Sequence, residues 1–166
     1  MYFPYLRGKQ NELIALRELV ENGLLGKKII PIIEPVTASP TLKKTVDVFL
    51  QHDRKIAIIH NPYVGAFYDE LYSLSDPAAQ SKYLQDVFLQ PNVIVGHIIN
   101  PNSEQQITDL ESSGIDLTKM IIISLDRSYL NIYRKVTRIK CPLFSLISND
   151  PQMIQSVRKN AVVLQE

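Results

Sequence analysis

The chain has 166 residues, of which 45% are hydrophobic and 21% charged, a length and balance that fit one soluble domain with a sizeable core. Lys and Arg number 18 and Asp and Glu 17, and the resulting net charge of +1 argues against bulk electrostatic capture of nucleic acid or of an anionic membrane. The single cysteine, Cys141, excludes an internal disulfide, and inside an apolar run it reads as a small core hydrophobe.

The first strand-like run covers residues 2–6 and meets Arg7. Next comes "KQNELIALRELVENGLL", where Leu13, Leu16, Leu19 and Val20 form one apolar stripe of a helix that Gly23 or Gly26 ends. The second strand, 28–34, contains "IIPIIEP"; Pro31 removes a ladder donor and predicts a local irregularity. "SPTLKKTVDVFLQHD" follows as a helix capped by Ser39 with Pro40 at its first position.

The third strand, 55–60, ends in "HNP". An insert over 61–75 carries Tyr63, Phe67, Tyr68 and Tyr72, which read as a lid or as ordinary packing. Asp76 and Pro77 then repeat the cap signal of Ser39 and Pro40. Strand 93–99 ends in "NP" and leads into a helix from Asn102 or Ser103 to Gly114. Strands at 120–125 and 142–147 flank the basic stretch "RSYLNIYRKVTRIK". Asp150 caps a last helix ahead of Pro151, before a strand at 161–164.

Short, almost continuously apolar strands alternating with helices indicate an α/β fold of parallel βα repeats. Three strands run into a polar residue and then Pro, which cannot continue the ladder and turns the chain into its βα loop. Two architectures fit: a TIM-barrel-like incomplete barrel of about 6–7 βα units, or an open doubly wound sheet. A whole barrel takes about 250 residues, so 1–166 is expected to be a single domain forming the N-terminal part of a longer barrel. Open strand edges would then favour self-association.

"YFPYLRGKQNELIALREL" followed by "IIPIIEP" resembles the opening of the bacterial and phage "beta protein" family. The resemblance rests on Tyr2, Pro4, Leu6, Arg7, Lys9, Glu12, Ala15, Leu16, Glu34 and Pro35. It covers the first 35 residues well and the rest only in outline. It implies a TIM-barrel-like fold and an association with phages, mobile elements or defence, and it carries no defined activity.

In parallel βα proteins ligands bind at the C-terminal ends of the strands. Those ends supply Arg7 and Lys9, Glu34, His60 and Asn61, Asn100, Asp126 and Arg127, and Asn149 with Asp150. All are expected to face one end of one sheet. Arg7 and Lys9 suit a phosphate or carboxylate, with Asn61, Asn100, Arg127 and Asn149 orienting it. Glu34, His60 and Asp126 are the candidate acid–base groups. Against this stand two plainer roles: Asn and Asp at these positions form turns and caps, and Arg7 with Glu34 can be a structural ion pair.

No HxH, HExxH, complete phosphate-loop or hydrolase-elbow pattern occurs, so the sequence argues against a metal site and names no cofactor. The basic run 127–140 reads first as a solvated helix face with Leu130, Tyr133 and Val136 turned inward, which disfavours nucleic acid as a partner. No secretory leader or membrane-length apolar run is present, so a cytoplasmic location without membrane contact is expected. The functional expectation is a small anionic ligand bound at the strand ends. The alternative is a non-catalytic interaction module.

Overall fold

The computed structural model describes residues 1–72, 76–157 and 161–163. Among these described residues seven strands alternate with helices, and every described strand pairing is parallel. This is the α/β succession of an incomplete TIM-barrel-like or doubly wound fold. The chain divides into two compact units, Met1–Ile94 and Val95–Glu166.

In the first unit β1 (Tyr5–Leu6), β2 (Ile32–Ile33) and β3 (Ile56–Ile59) lie side by side in chain order. Between and after them come α1 (Gln10–Glu21), α2 (Pro40–Gln51), α3 (Phe67–Tyr72) and α4 (Pro77–Phe88). All four residues of β3 are fully buried, as are Ile32 and Ile33, and α2 packs Leu42, Val46 and Phe49 into the same core. Burying an Ile, Leu or Phe side chain is worth roughly 1.5–3 kcal/mol, so this layer fixes the strand ends that follow it. Lys43 on α2 joins Asp86 on α4 at 2.5 Å.

The expected irregularity at Pro31 is present. Tyr2 and Ile29 form an isolated bridge, and regular β2 begins only at Ile32. The Pro31 carbonyl accepts from the Ala57 N–H at 2.8 Å, so the missing proline N–H faces β3 just before that strand's first residue. Little pairing is lost there. The stripe of α1 needs one correction: Leu13, Leu16 and Val20 are buried, whereas Leu19 is 38% exposed because it lies off the i, i+3, i+7 line. Gly23, not Gly26, ends the helix, with its N–H on the Val20 carbonyl. Ser39 and Asp76 cap α2 and α4 as expected.

Strand β4 (Val93–Ile98) carries the chain into the second unit, where β5 (Ile121–Ser124), β6 (Phe144–Ile147) and β7 (Ala161–Val163) follow it in chain order. The helices are α5 (Ser103–Ser112), α6 (Leu130–Val136) and α7 (Pro151–Ser156), with single 3-10 turns at Leu117–Lys119 and Arg127–Tyr129. Leu164, assigned to the last strand from sequence, lies outside the described residues. Met120 to Ile123, Leu146, Ile147 and Met153 form the buried core. Among the described residues neither unit shows the reversal of strand order that marks the switch point of a doubly wound sheet.

Candidate functional site

The register of the first unit explains its chemistry. Leu6 pairs with Ile33 and Ile33 with Ile58, so one residue further on Arg7 stands beside Glu34 and Glu34 beside Ile59. Tyr5 and Arg7 are two apart on one strand and therefore share a face. Two strand ends thus deliver a carboxylate, a guanidinium and a phenol to one place.

Glu34 is the hub. Its side chain is 2% exposed, and both carboxylate oxygens are occupied. Oε2 accepts from the Arg7 Nη1 at 2.5 Å and from the Tyr5 hydroxyl at 2.8 Å, while Oε1 accepts from the Tyr63 backbone N–H at 2.8 Å. A buried carboxylate needs such donors to offset its lost hydration. Burial, reinforced by the hydrogen bond and charge of Glu34, pushes the Tyr5 hydroxyl well above its ordinary pKa, so it stays protonated and donates. The Arg7 side chain is 50% exposed, and only its Nη1 is engaged by the described residues.

Gly8 lets the chain leave this point. It has φ +64, and a Cβ there would meet Ile33 Cγ2 at 2.8 Å. Lys9 is exposed, forms no ion pair among the described residues, and donates its backbone N–H to Glu12 at the start of α1. The segment after β3 folds back over the β2 end. Ala66 N–H reaches the Val36 carbonyl, and Glu70 accepts from the Ala38 N–H, each at 2.8 Å. Phe67 is buried against Phe88 and Tyr83, which gives Phe67 the packing role of the two read from sequence; Tyr63 is exposed. The side chains of Tyr68 and Tyr72 lie outside the described residues.

His60 and Asn61 follow the end of β3. Asn61 is buried, and burial pulls the His60 imidazole down from 6.5 to about 4, so at neutral pH it is uncharged. Since Glu34 stands level with Ile59, His60 falls on the alternate phase of the strand from the Glu34 hub.

In the second unit Asn100, Asp126 and Asp150 serve local turns and caps. Asn100 accepts from the Asn102 N–H at 2.8 Å and donates to Gln106 Oε1 at 2.9 Å. Asp126 is exposed and caps the turn Arg127–Tyr129, accepting from the Ser128 hydroxyl and N–H; those bonds hold its carboxyl below the usual range. Arg127 and Asn149 are exposed, and Asp150 caps α7. His97 is wholly buried with Nε2 2.7 Å from the Ser103 hydroxyl, which also accepts from the Asn100 N–H. This locks α5 onto β4. Ser103 has no solvent exposure, so it is no nucleophile for an external substrate.

The basic stretch is largely a paired surface. Lys135 meets Glu104 at 3.2 Å, Lys140 meets Glu111 at 2.7 Å, and Arg134 bonds Ser156. Leu130 and Tyr133 turn inward as expected, with the Tyr133 hydroxyl 2.9 Å from the Ser145 hydroxyl. Cys141, expected in the core, is instead exposed, because it lies in the loop ahead of β6 rather than in the strand. Among the described residues no group of three His, Cys, Asp or Glu is placed to hold a metal ion, and no helix is long and apolar enough to cross a membrane.

Two members of the Glu34 hub are not among the sequence candidates. Tyr5 was legible through its two-residue spacing from Arg7. The Tyr63 contribution is a backbone N–H, for which a sequence carries no side-chain signal. Chemically, a buried carboxylate held by three donors is a firm anchor for Arg7. No family model, no curated protein and no solved structure matches this chain.

Proposed function

We propose that this chain binds a small phosphate- or carboxylate-bearing ligand at the ends of β1–β3, with Arg7 as its principal anion-binding group and Lys9 assisting. One observation carries the reading: Arg7 is anchored through Nη1 to a buried carboxylate while half of its side chain remains in solvent. A guanidinium held this way presents its remaining N–H donors with little rotamer entropy left to lose. Glu34 is already tied to Tyr5, Arg7 and the Tyr63 backbone, which favours an anchoring role for it and binding at Arg7. The same observation supports the second reading, a non-catalytic interaction module on a βα scaffold. The beta-protein resemblance of the first 35 residues adds a setting in phage or mobile-element biology, or in defence.

Calorimetric titration with inorganic phosphate and with acetate tests the proposal. Saturable binding of at least one anion is expected, lost in Arg7→Ala and partly kept in Arg7→Lys. No binding to the unaltered chain, or equal binding to Arg7→Ala, would overturn it.

A further inference from the structure

Helices α5 and α6 of the second unit enclose a cleft of about 250 Å³ with an apolar floor of Ile107, Leu117 and Val136. Its two walls differ in sign. Glu104 and Glu111, at heptad spacing on α5, line one wall, while Lys135 of α6 and Lys140 just beyond it line the other. The walls are linked across the cleft: Lys135 meets Glu104 at 3.2 Å, and Lys140 meets Glu111 at 2.7 Å and Asp116 at 3.6 Å. Ile139, between the two lysines in sequence, also lines the cleft. It is 89% exposed, more than any other large apolar side chain among the described residues.

An apolar projection beside an apolar depression, flanked by charges of both signs, is a self-complementary surface. A two-fold axis running along the cleft sets the acidic wall of each copy against the basic wall of the other. It also brings Ile139 of each copy over the other's floor. An axis across the cleft would oppose like charges, so the charges fix the orientation. Little is lost by the exchange. The Lys135 and Glu104 side chains are 67% and 56% exposed, and pairs so solvated contribute little within one chain. We propose that the cleft between α5 and α6 is the interface of a two-fold dimer, filled by Ile139 of a second copy of this chain. Ion pairs between the copies, from Glu104 and Glu111 to Lys135 and Lys140, frame it. This surface belongs to the second unit and is independent of the anion site proposed at Arg7.

Sedimentation velocity over a range of protein concentrations tests the proposal. The unaltered chain should pass from monomer to dimer as concentration rises. Ile139→Asp, at a position too exposed to disturb the fold, should weaken dimerisation about tenfold or more. The double variant Lys135→Glu with Lys140→Glu has two acidic walls, and Glu104→Lys with Glu111→Lys has two basic ones. Each alone should stay monomeric, and an equimolar mixture should form a heterodimer. Circular dichroism checks that both fold; if either does not, Ile139→Asp decides alone. A monomer at every concentration would overturn the proposal and leave the cleft to a different partner. A dimer unmoved by Ile139→Asp, as pairing through strand edges would give, would also overturn it, as would folded charge variants that stay apart on mixing.

Discussion

Removing Arg7 should destabilise the first unit by less than the loss of a fully buried ion pair, and the structure says by how much. Breaking a buried pair and stranding one charge costs about 3–5 kcal/mol. Glu34 is stranded only in part by Arg7→Ala, because the Tyr5 hydroxyl and the Tyr63 N–H both remain at 2.8 Å. Arg7 is also half in water, which weakens what it supplied. The expected loss is therefore about 2 kcal/mol. Glu34→Gln should cost more, about 3 kcal/mol, since an amide has one acceptor oxygen and cannot serve donors on both sides. The double variant should lose less than the sum, leaving a coupling of about 1–2 kcal/mol. Urea denaturation followed by circular dichroism gives all four stabilities, provided the m-values agree. Losses below about 0.5 kcal/mol for both single variants would mean a surface-type pair and would refute the buried-hub account.

Three further outcomes follow from particular contacts. His60, held neutral by burial, binds fewer protons folded than unfolded between about pH 4 and 6.5. Its contribution is complete above about pH 6.5 and is lost as pH falls towards 4, by at most about 3 kcal/mol and less for the solvent it retains; an NMR titration of its ring giving a value near 6.5 would contradict this. Gly65→Ala should destabilise by about 2 kcal/mol or more, since it adds both strain at φ +78 and a collision with Val36, and a neutral effect on thermal unfolding would refute the tight turn. Ser103→Ala should cost about 2 kcal/mol by stripping the buried His97 and the Asn100 N–H of a shared partner; an unchanged urea midpoint would show that the hydroxyl is not needed.

Much of this was legible because it depends on local chemistry. Apolar runs bounded by Pro gave the strands, and Ser39, Asp76 and Asp150 announced their helices by the cap-then-Pro order. The ion pair of Arg7 with Glu34 was one of two roles open to two charges at strand ends that a turn does not require. What escaped depends on register and on backbone donors. Leu19 was one position off the buried line, Pro31 shortened β2 to two residues, and α3 lay within a segment whose aromatic residues gave no period. The use of the Tyr63 N–H depends on how the insert returns over β2, a tertiary event. Asp126 was read as a candidate base, and the Ser128 contacts make it a cap.

The central claim is that an anion sits on Arg7, and its side-chain resonance reports this most directly. Titrating inorganic phosphate into isotope-labelled protein while following the Arg7 Nε–H signal, assigned by its loss in Arg7→Lys, should give a saturable shift larger than that of other arginines such as Arg127 and Arg138. A flat Arg7 signal, or a shift shared equally by all exposed arginines, would contradict the account.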